Sequence, residues 1–183
     1  VFASAMSSAA LHTLPCHSSD GFGSPRARMD PPMTEEREAQ SPDESASEIA
    51  ELMMPGDVNN LGHVFGGVVL SMVDRAAAVT AMRHSRQPCV TVSINQVDFK
   101  ESIYTGEFLT CSARVNYVGR TSMEIGVRVV AEHPITGRRR NTNDCFLTFV
   151  AIDENSRPTL VPGLELTTDE DKERFEEGRR RRE

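Results

Sequence analysis

The sequence predicts an α+β fold in which an antiparallel sheet wraps around one long central helix. Between Val68 and Val79 nearly every residue is apolar or small, on every face of a helix, and such a helix has to be covered on all sides. Four strand-like segments follow it in series, and strands joined by short turns pair in the antiparallel sense. A sheet around the helix can cover most of its faces, and a second copy of the chain can cover the rest.

Composition divides the chain of 183 residues into three parts. Residues 1–46 are rich in Ser, Pro, Glu and Gly without periodicity, and we expect them to be disordered. Residues 47–162 hold the periodic segments and form the predicted domain. Residues 163–183 are highly charged, and we expect a solvent-exposed tail or a short helix there, with Arg179 to Arg182 in solvent.

The domain begins with one short element, a run of turns and the long helix. The segment SEIAELMM is rich in apolar residues and predicts a first strand or a short helix. PGDVNNLGH follows, and its Pro, Gly, Asn and Asp residues are typical of turns. The long helix is expected from about Gly66, the first of a Gly-Gly pair, to His84, and it ends in the polar loop RHSRQP.

The four predicted strands come after Pro88. CVTVSINQVDF alternates apolar residues with Thr, Ser and Asn, a period of two that indicates a strand. GEFLTCSARVNYVG and SMEIGVRVVAEH follow, and the turn VGRTS joins them. PITGRRRNT predicts a hairpin turn, and DCFLTFVAID predicts the last strand.

The charge and the cysteines of the sequence limit the classes of protein to which this chain can belong. With a net charge of −7, the chain has no overall positive field that would attract nucleic acid. No stretch approaches the ~18 to 20 apolar residues that are needed to span a bilayer. We therefore expect a soluble, cytoplasmic protein with neither nucleic-acid nor membrane partners. The cysteines form no Cys-x-x-Cys pair, which favours free thiols in a reducing compartment and argues against a zinc site. They are Cys16, Cys89, Cys111 and Cys145.

One carboxylate, Asp74, interrupts the apolar helix. A buried carboxylate is costly unless it is paired or hydrogen-bonded, so Asp74 has either a structural partner, such as Arg75 or Arg83, or a chemical role. Gly67 and Asp74 are seven residues apart, which is about 10 Å along a helix axis, and one reacting carbonyl cannot easily touch both. An antiparallel helix of a partner subunit would bring its own carboxylate to this glycine.

Three sequence runs carry a resemblance to a known family. The first has a fixed spacing, and its residues are Asp57, Asn59, Gly62, Phe65, Gly66, Gly67 and Asp74. The second is VTVSINQVDFKESIYTGE, and the third is VGRTSMEIGVRV. Together, from about Ile49 to Pro162, they resemble the acyl-CoA hydrolases of the hotdog superfamily. The resemblance implies a hotdog fold and a homo-oligomer with the dimer as its unit, and it leaves open a tetramer or a trimer of dimers.

The resemblance also implies a set of catalytic residues. Asp74 corresponds to a carboxylate that acts as general base for water or as direct nucleophile on the thioester carbonyl. Asn59 corresponds to a second catalytic residue from the other subunit, and Thr91 to a hydroxyl beside the carboxylate. Gly66 and Gly67 correspond to the entry into the helix where the thioester oxygen is held. The unpaired N–H groups and partial positive charge of a helix N-terminus stabilise oxyanion charge there.

Further residues are expected to contact the substrate. VGRTS joins two strands where such enzymes contact coenzyme A. The implied ligands are Gly119, Arg120, Thr121, Ser122 and Lys100. Arg120 supplies a guanidinium fork for phosphate, and the alternative is an ordinary hairpin with a solvated arginine. His63 departs from the family pattern; either it hydrogen-bonds the substrate or it is a plain loop residue.

These observations predict an acyl-CoA thioesterase, which hydrolyses acyl-CoA to free fatty acid and coenzyme A and needs no metal or redox cofactor. Two alternatives stay open. One is an acyl-thioester hydratase or dehydratase of the same fold, which uses a His–Asp or His–Glu pair and would take His63 as its histidine. The other is a non-enzymatic sensor that binds acyl-CoA.

Overall fold

The computed structural model describes residues 38–183, so most of the predicted N-terminal extension, including Cys16, lies outside the described residues. The end of this extension is folded, contrary to the expectation from composition. Gln40 forms backbone hydrogen bonds to both residues 163 and 165. A short helix, α1 (Pro42–Ser45), follows and buries Pro42 and Ser45. The folded chain therefore begins before residue 47.

The remaining elements follow the predicted order. β1 (Ser47–Leu52) and a 3-10 turn (Pro55–Asp57) precede the long helix, and the chain ends with a shorter one. The helices are α2 (Gly66–Ser85) and α3 (Asp169–Arg182), and the strands between them are β2 (Cys89–Val97), β3 (Phe108–Val118), β4 (Ser122–Glu132) and β5 (Arg139–Ala151). β5 begins earlier than predicted because Arg139 pairs with Glu132 and extends the ladder through the arginine-rich segment. No helix within residues 38–183 has both the length and the apolar character needed to cross a membrane.

The five strands form one antiparallel sheet in the order β1-β3-β4-β5-β2, which confirms the predicted fold class. β2 does not pair with β3, its successor in the chain, but lies at the far edge beside β5. The predicted strand is present, and as an edge strand β2 is left open here on both faces. Val90, Val92 and Ile94 are 44%, 61% and 40% exposed.

Helix α2 lies against the inner face of the sheet and contacts all five strands. Alternation along a strand puts every second residue on one face, and Leu109, Ile125 and Leu147 are among those that point inward and are fully buried. They belong to the same core as Met72 and Ala76 of the helix. The long apolar helix and the strands thus build the core that the sequence predicts.

One stripe of α2 remains uncovered in the single chain. Gly67, Ser71 and Met82 are exposed, and Asp74 and Ala78 are half-buried. These positions recur at intervals of three and four residues, so they share one face of the helix. The sheet therefore covers most of the helix and leaves open the face that carries Asp74.

Helix α3 packs on the outer face of the sheet through Asp171 and Gly178, whereas most of its residues, Arg179 to Arg182 included, are exposed. Its first turn has a capping box formed by Thr168 and Asp171. Asp171 is 3% exposed and accepts a 2.6 Å hydrogen bond from Arg114 of β3. Burial alone would raise the pKa of Asp171, but the hydrogen bonds from Thr168 and the charge of Arg114 outweigh it and lower that pKa. At the other end, Arg181 donates to Glu124 of β4.

Candidate active site

Asp74 and Thr91 form the contact around which the candidate site is built. The Thr91 hydroxyl donates a 2.7 Å hydrogen bond to Oδ1 of Asp74. Asp74 is half-buried rather than buried, and it lies on the uncovered stripe of α2. Its two candidate structural partners, Arg75 and Arg83, bond to other residues. The carboxylate is therefore oriented by a hydroxyl on the side of the helix that the sheet does not cover.

The edge strand β2 aims Thr91 at the helix. Thr91 lies opposite Phe149 of β5, whose side chain is buried in the core, so both point to the inner face. The pairing of β2 with β5 shifts register between Thr91 and Ser93, and such a bulge bends a strand and re-aims its side chains. The position of β2 at the edge leaves Thr91 exposed while it touches α2.

The N-terminus of α2 has no side-chain cap. The N-cap residue is Phe65, whose side chain accepts no hydrogen bond, and the first N–H groups of a helix have no partner inside the helix. A Cβ on Gly66 would lie 3.1 Å from the ring of Phe99, and a Cβ on Gly67 would overlap the ring of Phe65. Two aromatic rings thus lie against the glycine backbone, and the N–H donors of this turn face no capping oxygen of their own.

A cavity of about 390 Å³ opens beside this end of the helix. Asn59 and His63 line it from the preceding loop, Gly66 lines it from the helix, and Lys100 lines it from the loop after β2. Val69, Phe99 and Ile103 add apolar surface. Four residues that the sequence predicted for the site therefore meet in one place.

Asn59 shapes the loop before the helix. Its amide oxygen accepts hydrogen bonds from the backbone N–H groups of Leu61 and His63, at 2.9 and 3.2 Å. Such local bonds are how asparagine stabilises turns. Since they occupy the oxygen, the amide NH₂ is the group with which Asn59 can donate to a ligand.

His63 belongs to the same loop and is separated from Asp74. Its ring packs edge-on against Tyr104, with 5.2 Å between the ring centroids, and its Nδ1 lies 3.3 Å from the Ser102 hydroxyl. Asp74 is eight residues into α2 after Gly66, about 12 Å along the axis. Within one chain, His63 and Asp74 therefore do not form a pair.

Lys100, in the loop after β2, forms an ion pair with Asp144. Its Nζ donates a 2.6 Å hydrogen bond to Asp144, which raises the pKa of Lys100. The loop is anchored by Arg140, which pairs with the buried Glu107 at 2.6 Å and donates to the carbonyl of Ser102. The hydrogen bond from Arg140 lowers the pKa of Glu107. Arg140 and Glu107 are 33 positions apart in the sequence. No sequence pattern therefore predicts that they pair.

The hairpin of residues 119–122 lies at the other end of the sheet from Lys100. The hairpin meets β5 at Val150, whereas Lys100 bonds to Asp144 of the same strand. Six residues of a strand span about 20 Å. Within one chain, the structure does not bring Lys100 together with the other predicted ligands of coenzyme A.

Arg182 of α3 is exposed, and it also contacts this hairpin. Arg120 is exposed, Thr121 is half-buried and Ser122 is buried. The Ser122 hydroxyl accepts a hydrogen bond from Nη1 of Arg182. A Cβ on Gly119 would lie 2.6 Å from the same nitrogen. The sequence carries no signal for this contact, since the two segments are joined only by the docking of α3.

The predicted site residues therefore fall into two groups within one chain. The first group surrounds the N-terminus of α2 and consists of Asn59, His63, Gly66, Gly67 and Lys100. It supplies N–H donors, an amide and a cation. The second group lies farther along the helix and consists of Asp74, Thr91 and the hairpin of residues 119–122. It supplies the carboxylate, its hydroxyl partner and an exposed arginine.

Comparison with known proteins identifies the family of this chain. Residues 61–137 match the model of the Thioesterase superfamily. A Bacillus subtilis protein named as an uncharacterized acyl-CoA thioester hydrolase is 40% identical over 119 residues, which are 65% of this chain and 69% of that protein.

Two solved structures are similar over most of this chain. A hexameric acyl-CoA thioesterase in its apo form is 41% identical, with a TM-score of 0.77, over 80% of this chain and 94% of that chain. An acyl-CoA hydrolase from Staphylococcus aureus, in complex with butyryl coenzyme A, coenzyme A and coenzyme A disulfide, is 33% identical, with a TM-score of 0.72, over 77% of this chain and 86% of that chain. Alanine variants of that enzyme at one Asp, one Asn and one Thr have also been solved. With its sheet around a central helix, this chain belongs to the acyl-CoA thioester hydrolases of the thioesterase superfamily and has their hotdog fold.

Proposed function

We propose that the protein hydrolyses acyl-CoA to a free fatty acid and coenzyme A, with Asp74 as the catalytic carboxylate. The observation that carries this proposal is the 2.7 Å hydrogen bond from Thr91 to Asp74 on the uncovered face of α2. A hydroxyl that orients a carboxylate, on a face open to a ligand, is suited to general-base or nucleophilic catalysis.

The Staphylococcus aureus variants support this choice of residues. The three substituted positions of that enzyme, an Asn, an Asp and a Thr in chain order, are separated by 15 and 17 residues. Asn59, Asp74 and Thr91 have the same order and the same separations. A catalytic set shared by the two proteins accounts for this correspondence.

The proposed chemistry needs only groups of this chain and water. As a general base, Asp74 takes a proton from a water molecule whose oxygen attacks the thioester carbonyl carbon. The N–H groups at a helix N-terminus, those of Gly66 and Gly67, stabilise the negative charge on the carbonyl oxygen. The C–S bond then breaks, and the coenzyme A thiolate takes back the proton. As a nucleophile, Asp74 would instead attack the carbonyl carbon and expel the coenzyme A thiolate, which leaves an acyl anhydride. Water then cleaves the anhydride to the free acid and the Asp74 carboxylate, and the proton released goes to the thiolate.

We further propose that each site forms across a dimer. The two groups of site residues are about 12 Å apart along one helix, and one carbonyl cannot reach both. A second copy, with its α2 antiparallel, would cover the stripe around Asp74 and pair at the exposed edge of β2. It would also bring each Asp74 to the partner's helix N-terminus. The hexameric relative supports a trimer of such dimers.

The cysteines support the cytoplasm as the compartment. Cys111 and Cys145 are fully buried, and burial raises the pKa of their thiols to about 12 and about 11. They lie on β3 and β5 with β4 between them, about 10 Å apart at the usual strand spacing, which is too far for a disulfide. Buried free thiols suit a reducing environment.

A thiol-release assay with the purified protein tests the function. Acyl-CoA substrates of increasing chain length are offered, and free thiol and free acid are measured together. We expect both to appear in equal amounts, with turnover that depends on chain length. A parallel assay with an enoyl-CoA follows loss of the double bond, and we expect none. Hydration of the enoyl-CoA without thiol release would overturn the proposal in favour of a hydratase.

A further inference from the structure

The last turn of α3 is fixed on the outer face of the sheet by close contacts. A Cβ on Gly178 would lie 2.9 Å from Oε1 of Glu124, so the helix backbone lies directly against β4. One turn later, Arg181 donates to Glu124 and stacks on Phe146, with 3.8 Å between the guanidinium carbon and the ring centroid. These contacts hold Arg182, the next residue, in a defined place beside β4.

Arg182 points at the hairpin of residues 119–122. Its Nη1 donates to the Ser122 hydroxyl, and glycine at position 119 makes room for the guanidinium, because a Cβ there would lie 2.6 Å from Nη1. A guanidinium has five N–H donors, and the Ser122 hydroxyl takes one of them. Arg182 is a member of no ion pair formed within residues 38–183.

Arg120 brings a second guanidinium to the same turn. It directly follows Gly119, is exposed, and is likewise in no ion pair of the described chain. Neighbouring arginines of α3 differ in this respect: Arg179 pairs with two glutamates, and Arg181 pairs with Glu124. Two cations at one turn repel each other, and a phosphate between them would remove the repulsion and accept charge-assisted hydrogen bonds from both.

We propose that Arg182 is a phosphate-binding residue that acts with Arg120 on the coenzyme A part of the substrate. The inference rests on the proposed function, since it takes acyl-CoA as the ligand, whose diphosphate and 3′-phosphate lie far from the thioester. The strand pairing puts Thr91, Phe149 and Met123 in one row across β2, β5 and β4. The hairpin therefore begins two strands, about 10 Å, from Thr91, and a pantetheine arm can connect the phosphates there to a thioester at Asp74.

The test compares Arg182→Ala in the full-length protein with wild type on three butyryl thioesters. These are butyryl-CoA, butyryl-3′-dephospho-CoA and S-butyryl-N-acetylcysteamine, which has no phosphate. A contact remote from the thioester acts alike in the ground and transition states, so its loss raises KM and spares kcat. We expect KM for butyryl-CoA to rise about tenfold, the usual effect of removing a hydrogen bond to a charged group, and kcat/KM for the phosphate-free thioester to stay unchanged.

Arg179→Ala is the matched control. It removes the same charge from the same helical turn, but from a residue that already has two glutamate partners. We expect its KM for butyryl-CoA to stay within about twofold of wild type, because exposed ion pairs contribute little. Arg182→Lys retains the charge without the fork, and it should recover part of the affinity.

Each outcome bears on the inference. If the effect of Arg182→Ala vanishes on the dephospho substrate, the 3′-phosphate is the ligand; if it vanishes only on the phosphate-free one, the diphosphate is. An equal loss on all three substrates shows a structural role and overturns the inference, as does an unchanged KM for butyryl-CoA. Should wild type release no thiol at all, the proposed function fails instead. Calorimetric titration of both proteins with coenzyme A would then still decide whether Arg182 binds its phosphates.

Discussion

The hydroxyl of Thr91 gives the carboxylate of Asp74 a fixed orientation on a largely apolar helix. Neither arginine of the same helix neutralises it, because Arg75 pairs with Glu51 and Arg83 bonds to a backbone carbonyl. A catalytic carboxylate requires this combination of an oriented oxygen and an available negative charge. The contact also explains why a polar strand residue, Thr91, faces the inner side of the sheet.

Asp74→Asn should abolish thioester hydrolysis while the protein stays folded. The amide has the same shape but neither takes a proton nor attacks well, and loss of a general base typically lowers kcat ~100-fold or more. Thiol release from butyryl-CoA measures kcat, and size-exclusion chromatography checks the assembly. Ser71→Ala, on the same helix stripe, is the control and should keep wild-type activity. Activity above about a tenth of wild type in Asp74→Asn would contradict the role.

The ion pair between Arg140 and Glu107 predicts a pH-dependent stability. Glu107 has a pKa below its ordinary value of 4.5, chiefly through the hydrogen bond from Arg140. Its contribution is therefore fully present above pH 4.5 and is lost as the pH falls below that value. At pH 7, Glu107→Gln should lower the free energy of unfolding by about 3 kcal/mol, because it breaks a buried pair. Below pH 4 the difference from wild type should shrink.

Urea unfolding at both pH values measures this effect. Glu101→Gln is the control, since Glu101 pairs with the same arginine but its side chain is 52% exposed. We expect it to change the free energy of unfolding by less than about 1 kcal/mol. A Glu107→Gln difference that is the same at both pH values would show that the carboxylate charge is not what stabilises the loop.

At the scale of elements, α3 is docked by charge and close approach rather than by an apolar stripe. Its first turn is acidic and its last turn is basic, which suits the helix dipole at both ends. Its buried residues are Asp171 and Gly178. An apolar periodicity, the usual signal of a packed helix, is absent from the sequence of this element.

Gly178→Ala should loosen α3. The new Cβ would lie 2.7 Å from Cβ of Tyr117, and such overpacking costs about 1–3 kcal/mol, more than the ~1 kcal/mol that alanine gains over glycine in a helix. Faster hydrogen exchange confined to α3 would report it. Gly163→Ala is the matched control, because its Cβ would meet its nearest neighbour at an ordinary 3.7 Å. Unchanged exchange in Gly178→Ala would mean that α3 is not tightly seated.

A segment's own sequence predicts well the helices and strands whose apolar residues mark them, and it predicts poorly the contacts between residues that are distant in the chain. The apolar run of α2 and the two strand-like runs on either side of the turn VGRTS predicted α2, β3 and β4 with approximately correct bounds. The partner of β2 was not predictable, since strand order depends on contacts distant in the sequence. The family resemblance identified the Asp74–Thr91 pair. Arg182 and the Arg140–Glu107 pair left no trace in the sequence, because single polar contacts have no periodicity.

At the scale of the whole molecule, the division of the site into two groups predicts complementation between two inactive variants. Asn59→Ala and Asp74→Ala should each be nearly inactive when refolded alone. In a mixed dimer, one site receives both substitutions and the other receives neither. Random pairing makes about half of the dimers mixed, so co-refolding should restore about a quarter of wild-type activity. Thiol release measures it, and differential tags confirm that mixed dimers form. No recovery in confirmed mixed dimers would place both residues in the site of one chain.

The open edge of β2 has a consequence for how the protein is made. Val90, Val92 and Ile94 are exposed β-branched residues along this edge, beside unpaired backbone groups, and a bare edge of this kind is a template for aggregation. A newly synthesised chain carries this hazard until it meets a partner. Variants that weaken the proposed dimer seam should therefore accumulate in inclusion bodies rather than be recovered as monomers. Their yield in the soluble fraction should follow the rate at which newly made chains form dimers.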